Sequence, residues 1–191
     1  MINVDLSHVK SVKEFYKEIR AGQEAEHGDN YCAQHDAITR LIKDCDSYME
    51  LGTHQGGTAA AAMLCKPKKI TLVDIDMHRY DKFLKPLADK FCKRHNISLN
   101  VKECSSIEIK STAKTDLLLI DSVHNPNHMI QELRLHQINV KKYIVAHDTS
   151  VINGRPDVRL YECLESFCMN YPFKIVERET VNVGYAVLER K

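Results

Sequence analysis

The side chains best suited to chemistry in this 191-residue chain are acids and histidines placed directly behind apolar runs. "TDLLLIDSVHN" carries Asp121 with His124 close behind, and "KKYIVAHDT" ends in the pair His147-Asp148. A carboxylate beside an imidazole can hold or move a proton, so Asp121, His124 and His147 are candidate general acids or bases. Asp121, His147 and Asp148 also make a mixed oxygen and nitrogen set that suits Mg²⁺ or another divalent cation. The plainer alternatives are an Asp-Thr turn for Asp148 and an acceptor of loop amides for Asp121.

A second cluster is "MELGTHQGGT", which puts Glu50 ahead of Gly52, Gly56 and Gly57. Glycines at a strand-to-helix junction let a ligand approach the backbone closely. The spacing Glu-x-Gly-x-x-x-Gly-Gly differs from the dinucleotide fingerprint Gly-x-Gly-x-x-Gly. A carboxylate ahead of the loop would oppose a pyrophosphate but suits a cationic nucleoside that bears an amino acid. S-adenosyl-L-methionine, with its sulfonium and α-amino group, fits that description. Asp74 closes "ITLVD", where a carboxylate can accept hydrogen bonds from ribose hydroxyls. Asp76 is equally suited to cap the next helix. Ser105 and Ser106 follow the third apolar run.

These residues need elements that bring them to one edge. Val9, Val12, Phe15, Tyr16 and Ile19 predict a helix over residues 8–21, and "EAEHGDNY" reads as a polar break. A helix over 32–44 follows, then strand "SYMEL", helix "TAAAAML" and strand "KKITLVDID". "YDKFLKPLADKFCKRHN" is helical with a boundary at Pro86, and "ISLNVKE" is a strand. "TDLLLIDS" is the most apolar strand and takes the sheet centre. "NHMIQELRLHQIN" and "DVRLYECLESFCMN" are helices on either side of strand "KKYIVAHD", and His128 and His136 read as surface residues. "FKIVERET" and "VGYAVLER" form a closing hairpin. The fold class is therefore α/β, a doubly wound, mostly parallel seven-stranded sheet with a C-terminal antiparallel hairpin. Residues 1–31 form an N-terminal helical segment and 32–191 the cofactor-binding domain.

Composition narrows the setting. Lys plus Arg is 27 against 26 for Asp plus Glu, so no overall positive field favours nucleic acid. Seven cysteines without a Cys-x-x-Cys pair read as reduced thiols of a cytoplasmic protein. The N-terminus is too charged for a signal peptide, and no apolar run is long enough to enter a membrane.

From near residue 32 onward the chain resembles the class I S-adenosylmethionine-dependent methyltransferases. Glu50, Gly52, Gly56 and Thr58 match the family's Glu/Asp-x-Gly-x-x-x-Gly-x-Ser/Thr loop, which implies loop contacts from Thr53 and His54. The same resemblance implies ribose contacts at Asp74 and Ile75, an adenine contact at Ser105 or Ser106, and Asp121 beside the cofactor. "DLLLIDSVHN" followed by "YIVAHDT" resembles a narrower subgroup, the small-molecule O-methyltransferases. Some of those bind a divalent metal through acids at these two strand ends. The chain departs from them in "SVHNPNH", in "KK" ahead of the fifth strand, and in His147 where an acid often stands.

The resemblance implies methyl transfer to a hydroxyl of a small molecule, with a second copy of the chain as a candidate partner. The alternatives are an S-adenosylmethionine-binding protein, an enzyme such as a lyase that consumes the cofactor otherwise, and an NAD-type enzyme. "NPNH" lacks the second proline and the aromatic residue of nucleobase methyltransferases, which speaks against DNA or RNA as acceptor.

Overall fold

The computed structural model describes residues 4–109, 114–152 and 154–191, so residues 1–3 of the N-terminal segment lie outside it. Helix α1 spans Val12–His27, opened by Ser11, whose hydroxyl accepts the Glu14 amide at 3.2 Å. It starts later and ends later than the apolar spacing implies, so the expected break at "EAEH" is corrected. Arg20 Nε donates to Glu24 Oε1 at 3.0 Å, an i,i+4 pair that carries the helix through its polar stretch. Gly28, at φ +94°, ends it.

Helix α2 (Ala33–Leu41) passes through a 3-10 turn into strand β1 (Ser47–Leu51). Helix α3 (Gly57–Leu64), β2 (Lys69–Asp74), α4 (His78–Phe83), α5 (Lys85–Arg94) and β3 (Ser98–Glu103) follow. Leu84 separates α4 from α5 just ahead of Pro86, as the proline requires. The chain continues with β4 (Thr115–Ile120), α6 (Pro126–His136) and β5 (Val140–His147). A small ribbon of β6 (Val151–Ile152) and β7 (Arg155–Pro156) precedes α7 (Arg159–Asn170), β8 (Phe173–Glu179) and β9 (Tyr185–Arg190). The sequence gives no sign of that ribbon, because two-residue strands are too short for any alternation to show.

The main sheet has seven strands in the order β3-β2-β1-β4-β5-β9-β8. The first five pair in parallel, and β9 runs antiparallel to both β5 and β8. Every residue of β4 is buried, and it is the central strand, as its apolar run demands. One core packs α1, α2, α3 and α5 on one face of the sheet, including Phe15, Ile38, Met63 and Ala88. The other packs α6 and α7 on the opposite face through Met129, Leu133, Leu164 and Phe167. The connections run outward in opposite directions from β1 and β4, which opens a crevice between their carboxyl ends. Among the described residues no helix is long and apolar enough to cross a membrane, and all seven cysteines are free thiols.

Candidate active site

Leu51 and Ile120 are paired neighbours at the ends of β1 and β4, so the chain segments leaving them meet over the crevice. Asp121 N–H donates to Leu51 O at 2.8 Å, and Gly52 N–H donates to Val73 O at 2.9 Å. Gly52 has φ +92°, and a Cβ on it would stand 1.9 Å from the Asp121 carbonyl oxygen. Only glycine lets the loop lie across the end of β4.

Beyond it the backbone turns through His54, whose N–H donates to Asp74 Oδ2 at 2.7 Å. Asp76 N–H donates to Asp74 Oδ1 at 3.1 Å, so Asp74 is held from both sides with lone pairs left for a ligand. Asp76 itself accepts the His78 amide at 2.9 Å, at the first residue of α4, which is the capping role. The His54 ring lies against Arg79.

Glu50 is completely buried beneath the loop, and Tyr48 donates to its Oε2 at 2.5 Å. Burial pushes its carboxyl up to about 8, against the Tyr48 and Thr58 hydroxyls that favour the charge. The Thr53 side chain is turned inward rather than to solvent, 2% exposed, and its Oγ1 has no partner within the chain.

A cavity of about 440 Å³ fills the crevice. Gly52, Thr53, His54, Thr58, Asp74, Ile75, Ser105, Asp121, His124, His147 and Asp148 all line it. Glu50 and Gly56 stand behind its wall. The strand-end acids and histidines converge at one end. His124 Nε2 lies 2.8 Å from Asp148 Oδ2 and 3.8 Å from Asp121 Oδ1. His147 Nδ1 lies 3.1 Å from Asp121 Oδ1 and 3.0 Å from Asp148 Oδ2.

The two carboxylates raise His124 to about 10. Burial disfavours charge on His147, yet Asp121 and Asp148 raise it to about 10 as well. Burial likewise opposes ionisation of Asp121, and the two imidazoles outweigh it, holding Asp121 below the usual carboxylate range. Two negative and two positive charges thus balance in one cluster, buried at His147 and Asp148 and open at His124. Asp148 leaves β5 in a left-handed conformation, φ +56°, so the turn is real and its side chain still joins the cluster.

The donor atoms of Asp121, His124 and Asp148 lie within 4.8 Å of one another, a spacing able to hold a cation. Of the three expected ligands, His147 touches both Asp121 and Asp148, and its Nε2 is buried without a partner.

Two expectations fail on α6. His128 is no surface residue: it lines the cavity, with its Nε2 3.0 Å from Ser106 Oγ and 3.3 Å from Glu132 Oε1. His136 is 1% exposed, its Nε2 2.8 Å from Ser106 O. Residues 128, 132 and 136 recur at four-residue spacing, which places them on one helix face. That repeat is the signal in the sequence, and it is easily lost because all three residue types ordinarily face water.

The chain ahead of β1 also supplies wall that spacing gives no sign of. Ile19 and Gln23 of α1, Tyr31, and Gln34 and His35 of α2 line the cavity. Tyr31 stands edge-on to His147, ring centroids 6.3 Å apart. His35 is 1% exposed, and burial lowers it to about 3, so it is a neutral imidazole.

Comparison with known proteins bears on this arrangement. The model of the family described as rhamnosyl O-methyltransferase/CmcI matches residues 32–177. No curated protein matches the chain. A Staphylococcus aureus protein described as a candidate caffeoyl-CoA O-methyltransferase is 14% identical, with TM-score 0.68 over 97% of this chain and 95% of that one. The Burkholderia thailandensis 1,6-didemethyltoxoflavin-N1-methyltransferase, solved with S-adenosylhomocysteine, is 14% identical at TM-score 0.63, over 94% of this chain and 87% of its own. Podospora anserina PaMTH1, also bound to S-adenosylhomocysteine, is 13% identical at TM-score 0.62 over the same shares, 94% and 87%. At such identity the three structures speak for the fold alone.

Proposed function

The chain belongs to the rhamnosyl O-methyltransferase/CmcI family, S-adenosylmethionine-dependent methyltransferases, and we propose that it methylates a hydroxyl group of a small, uncharged, polar molecule. The observation that carries this reading is the meeting of the glycine loop and the Asp121, His124, His147 and Asp148 cluster in one cavity.

The residues fit the cofactor. Thr53 Oγ1 is buried at the cavity wall without a partner, and Asp74 is fixed with lone pairs to spare. In this reading Glu50, Gly52, Thr53, His54, Gly56 and Thr58 form the loop subsite, Asp74 and Ile75 the ribose subsite, and Ser105 the base subsite, with Asp121 at the methyl-bearing end. When bound, the cofactor supplies an electrophilic methyl group on a sulfonium.

Everything else falls to the chain. The cavity holds the acceptor in line with the bond to be made, which is an entropic gain. Asp121 and Asp148 accept the acceptor hydroxyl's hydrogen bond and take its proton late in transfer, when the methylated oxygen is strongly acidic and weakly basic carboxylates suffice, and His124, 41% exposed at its side chain, opens the group to the cavity. His147, almost buried, fixes the orientation of both carboxylates.

The same donors fit a divalent ion. Their two negative charges need two positive ones, which two imidazole protons or one divalent cation can supply equally. Asp121 and Asp148, with His147 or His124, would hold that ion, and its chemistry there would be to lower the pKa of the acceptor hydroxyl.

The acceptor's class follows from charge. Among the described residues that line the cavity there is no lysine or arginine, and the charges of His124 and His147 are already balanced by Asp121 and Asp148, so no unpaired cation offers a partner to a phosphate or carboxylate. Gln23, Gln34, Tyr31 and the neutral His35 suit the hydroxyls of a sugar or a phenol, and the rhamnosyl acceptor in the family's description supports the former.

The test is transfer of a labelled methyl group from S-adenosylmethionine to a panel of sugars, glycosides, phenols and their phosphorylated counterparts, with and without Mg²⁺ or Mn²⁺. Labelled ether product from the uncharged members supports the reading. Cofactor binding with no product from any of them, or product only from the phosphorylated ones, would overturn it.

A further inference from the structure

Helix α6 carries a buried carboxylate that the reaction does not use. Glu132 is 0% exposed and stands directly behind the cavity wall. Ser122 Oγ donates to its Oε1 at 2.5 Å, and His128 Nε2 lies 3.3 Å from the same atom and 3.0 Å from Ser106 Oγ. One turn further along, His136 Nε2 meets the Ser106 carbonyl at 2.8 Å and so pins the backbone of that loop. Ser106, Ser122 and His128 line the cavity, while Glu132 ties them together from behind.

A carboxylate only accepts hydrogen bonds, so each neighbour must turn a hydrogen toward it. The Ser122 hydrogen is therefore spent inward, and the proton of His128 sits on Nε2, facing Glu132 and Ser106. Burial raises the Glu132 carboxyl, and the Ser106, Ser122 and His128 side chains around it work the other way, favouring its charged, accepting form, while its Oε2 has no hydrogen-bond partner within the chain. What this wall turns toward the cavity is oxygen lone pairs. A ligand edge docking there must bring hydrogen-bond donors.

The flanks of the same place are apolar. Ile75 and Val123 line the cavity and are 75% and 52% exposed, unusual for large aliphatic side chains at a cavity mouth. A flat ring between them would cover both while its edge met the serines.

We infer that Glu132 is a positioning residue that sets the hydrogen-bond polarity of the purine subsite, making the Ser106–Ser122 wall an acceptor of the 6-amino group of adenine and a barrier to 6-oxo purines. This deepens the cofactor reading and rests on it. A hypoxanthine base presents a carbonyl where adenine presents an amine, so acceptor would face acceptor, and buried polar groups left unpaired are costly.

The test is calorimetric binding of S-adenosylhomocysteine and S-inosylhomocysteine to the wild type, Glu132→Gln and Ser122→Ala. Wild type is expected to favour the adenosyl compound by about tenfold or more. Glu132→Gln keeps the shape but adds a donor, which frees the Ser122 hydrogen, and the preference should shrink to about threefold or less. Ser122→Ala should weaken the adenosyl compound and leave the inosyl compound within about threefold of wild type. Equal wild-type affinity for the two nucleosides would overturn the inference while leaving the cofactor reading in place. Variants that weaken both nucleosides by the same factor would also overturn it, since that is what a purely structural glutamate would do. A wild type that binds neither removes the cofactor reading and this inference with it.

Discussion

The carbonyl oxygen of Asp121 occupies the space that any side chain on Gly52 would need, 1.9 Å from an ideal Cβ. The glycine loop and the strand end that carries Asp121 are thus in contact through backbone, and a change in either displaces the other.

Gly52→Ala combines that overlap with φ +92°, so it should destabilise the protein by about 2 kcal/mol or more and abolish S-adenosylhomocysteine binding. Gly28 has a similar φ, +94°, with nothing within 4 Å, and Gly28→Ala isolates the backbone strain. Its cost should be about 1–2 kcal/mol with binding kept. Urea unfolding and calorimetry on both variants check this, and equal effects at the two sites would contradict it.

Asp121→Asn and Asp148→Asn each leave two imidazoles facing one carboxylate. Turnover should fall by about a hundredfold or more in either variant. S-adenosylhomocysteine affinity should fall further in Asp121→Asn, because the Asp121 carboxylate is the one assigned to the methyl-bearing end of the cofactor, beside the glycine loop. Single-turnover assays paired with binding separate the two effects, and unchanged turnover in both would remove the cluster from the reaction.

The cluster's protons oppose a metal. His124 and His147 keep theirs to about 10, so a divalent ion must displace them, and Mn²⁺ affinity should rise by about tenfold per pH unit per proton displaced. In chelator the sign for stability is the opposite. Both folded values lie above the ordinary 6.5, so the contribution is complete below about 6.5 and is lost as pH climbs toward about 10. Thermal melts across that window, with EDTA or with Mn²⁺, should diverge as pH rises. Coincident melts would deny the site its metal.

Glu50 runs against the usual carboxylate pattern. Its folded value, about 8, exceeds the ordinary 4.5, so folding is penalised increasingly above about 4.5, and fully above about 8. Glu50→Gln should therefore raise the melting temperature of the ligand-free protein more at pH 8.5 than at pH 5, while S-adenosylmethionine binds more weakly. A melting gain independent of pH would show that the carboxyl is not the source.

The sheet was legible because its signals are local. "SYMEL" reads as a strand and β1 occupies those five residues, Ser47–Leu51. "TDLLLIDS" belongs at the centre because its Leu117–Ile120 run tolerates no water, and the final hairpin announces itself by two strands with no room for a helix between them. The clustered acids were legible as strand ends. The α6 web was not, because His128, Glu132 and His136 are residue types that ordinarily face water, and only the burial of Glu132 and His136 and the place of His128 in the cavity wall show otherwise. Helix α1 outran its apolar stripe because Arg20 binds Glu24 on its own helix and Asp36 on α2, at 2.6 and 2.8 Å, contacts that no hydrophobic pattern encodes.

Part of the cavity wall is built from Ile19, Gln23 and Tyr31, which precede the family-matched span of residues 32–177. In the proposed reading, catalytic floor and part of the substrate ceiling therefore belong to different stretches of one polypeptide, joined across Arg20 and Asp36. Such a division lets descent with modification work on the ceiling alone. A new leader helix grafted onto an unchanged floor would inherit the chemistry and choose a different molecule to decorate.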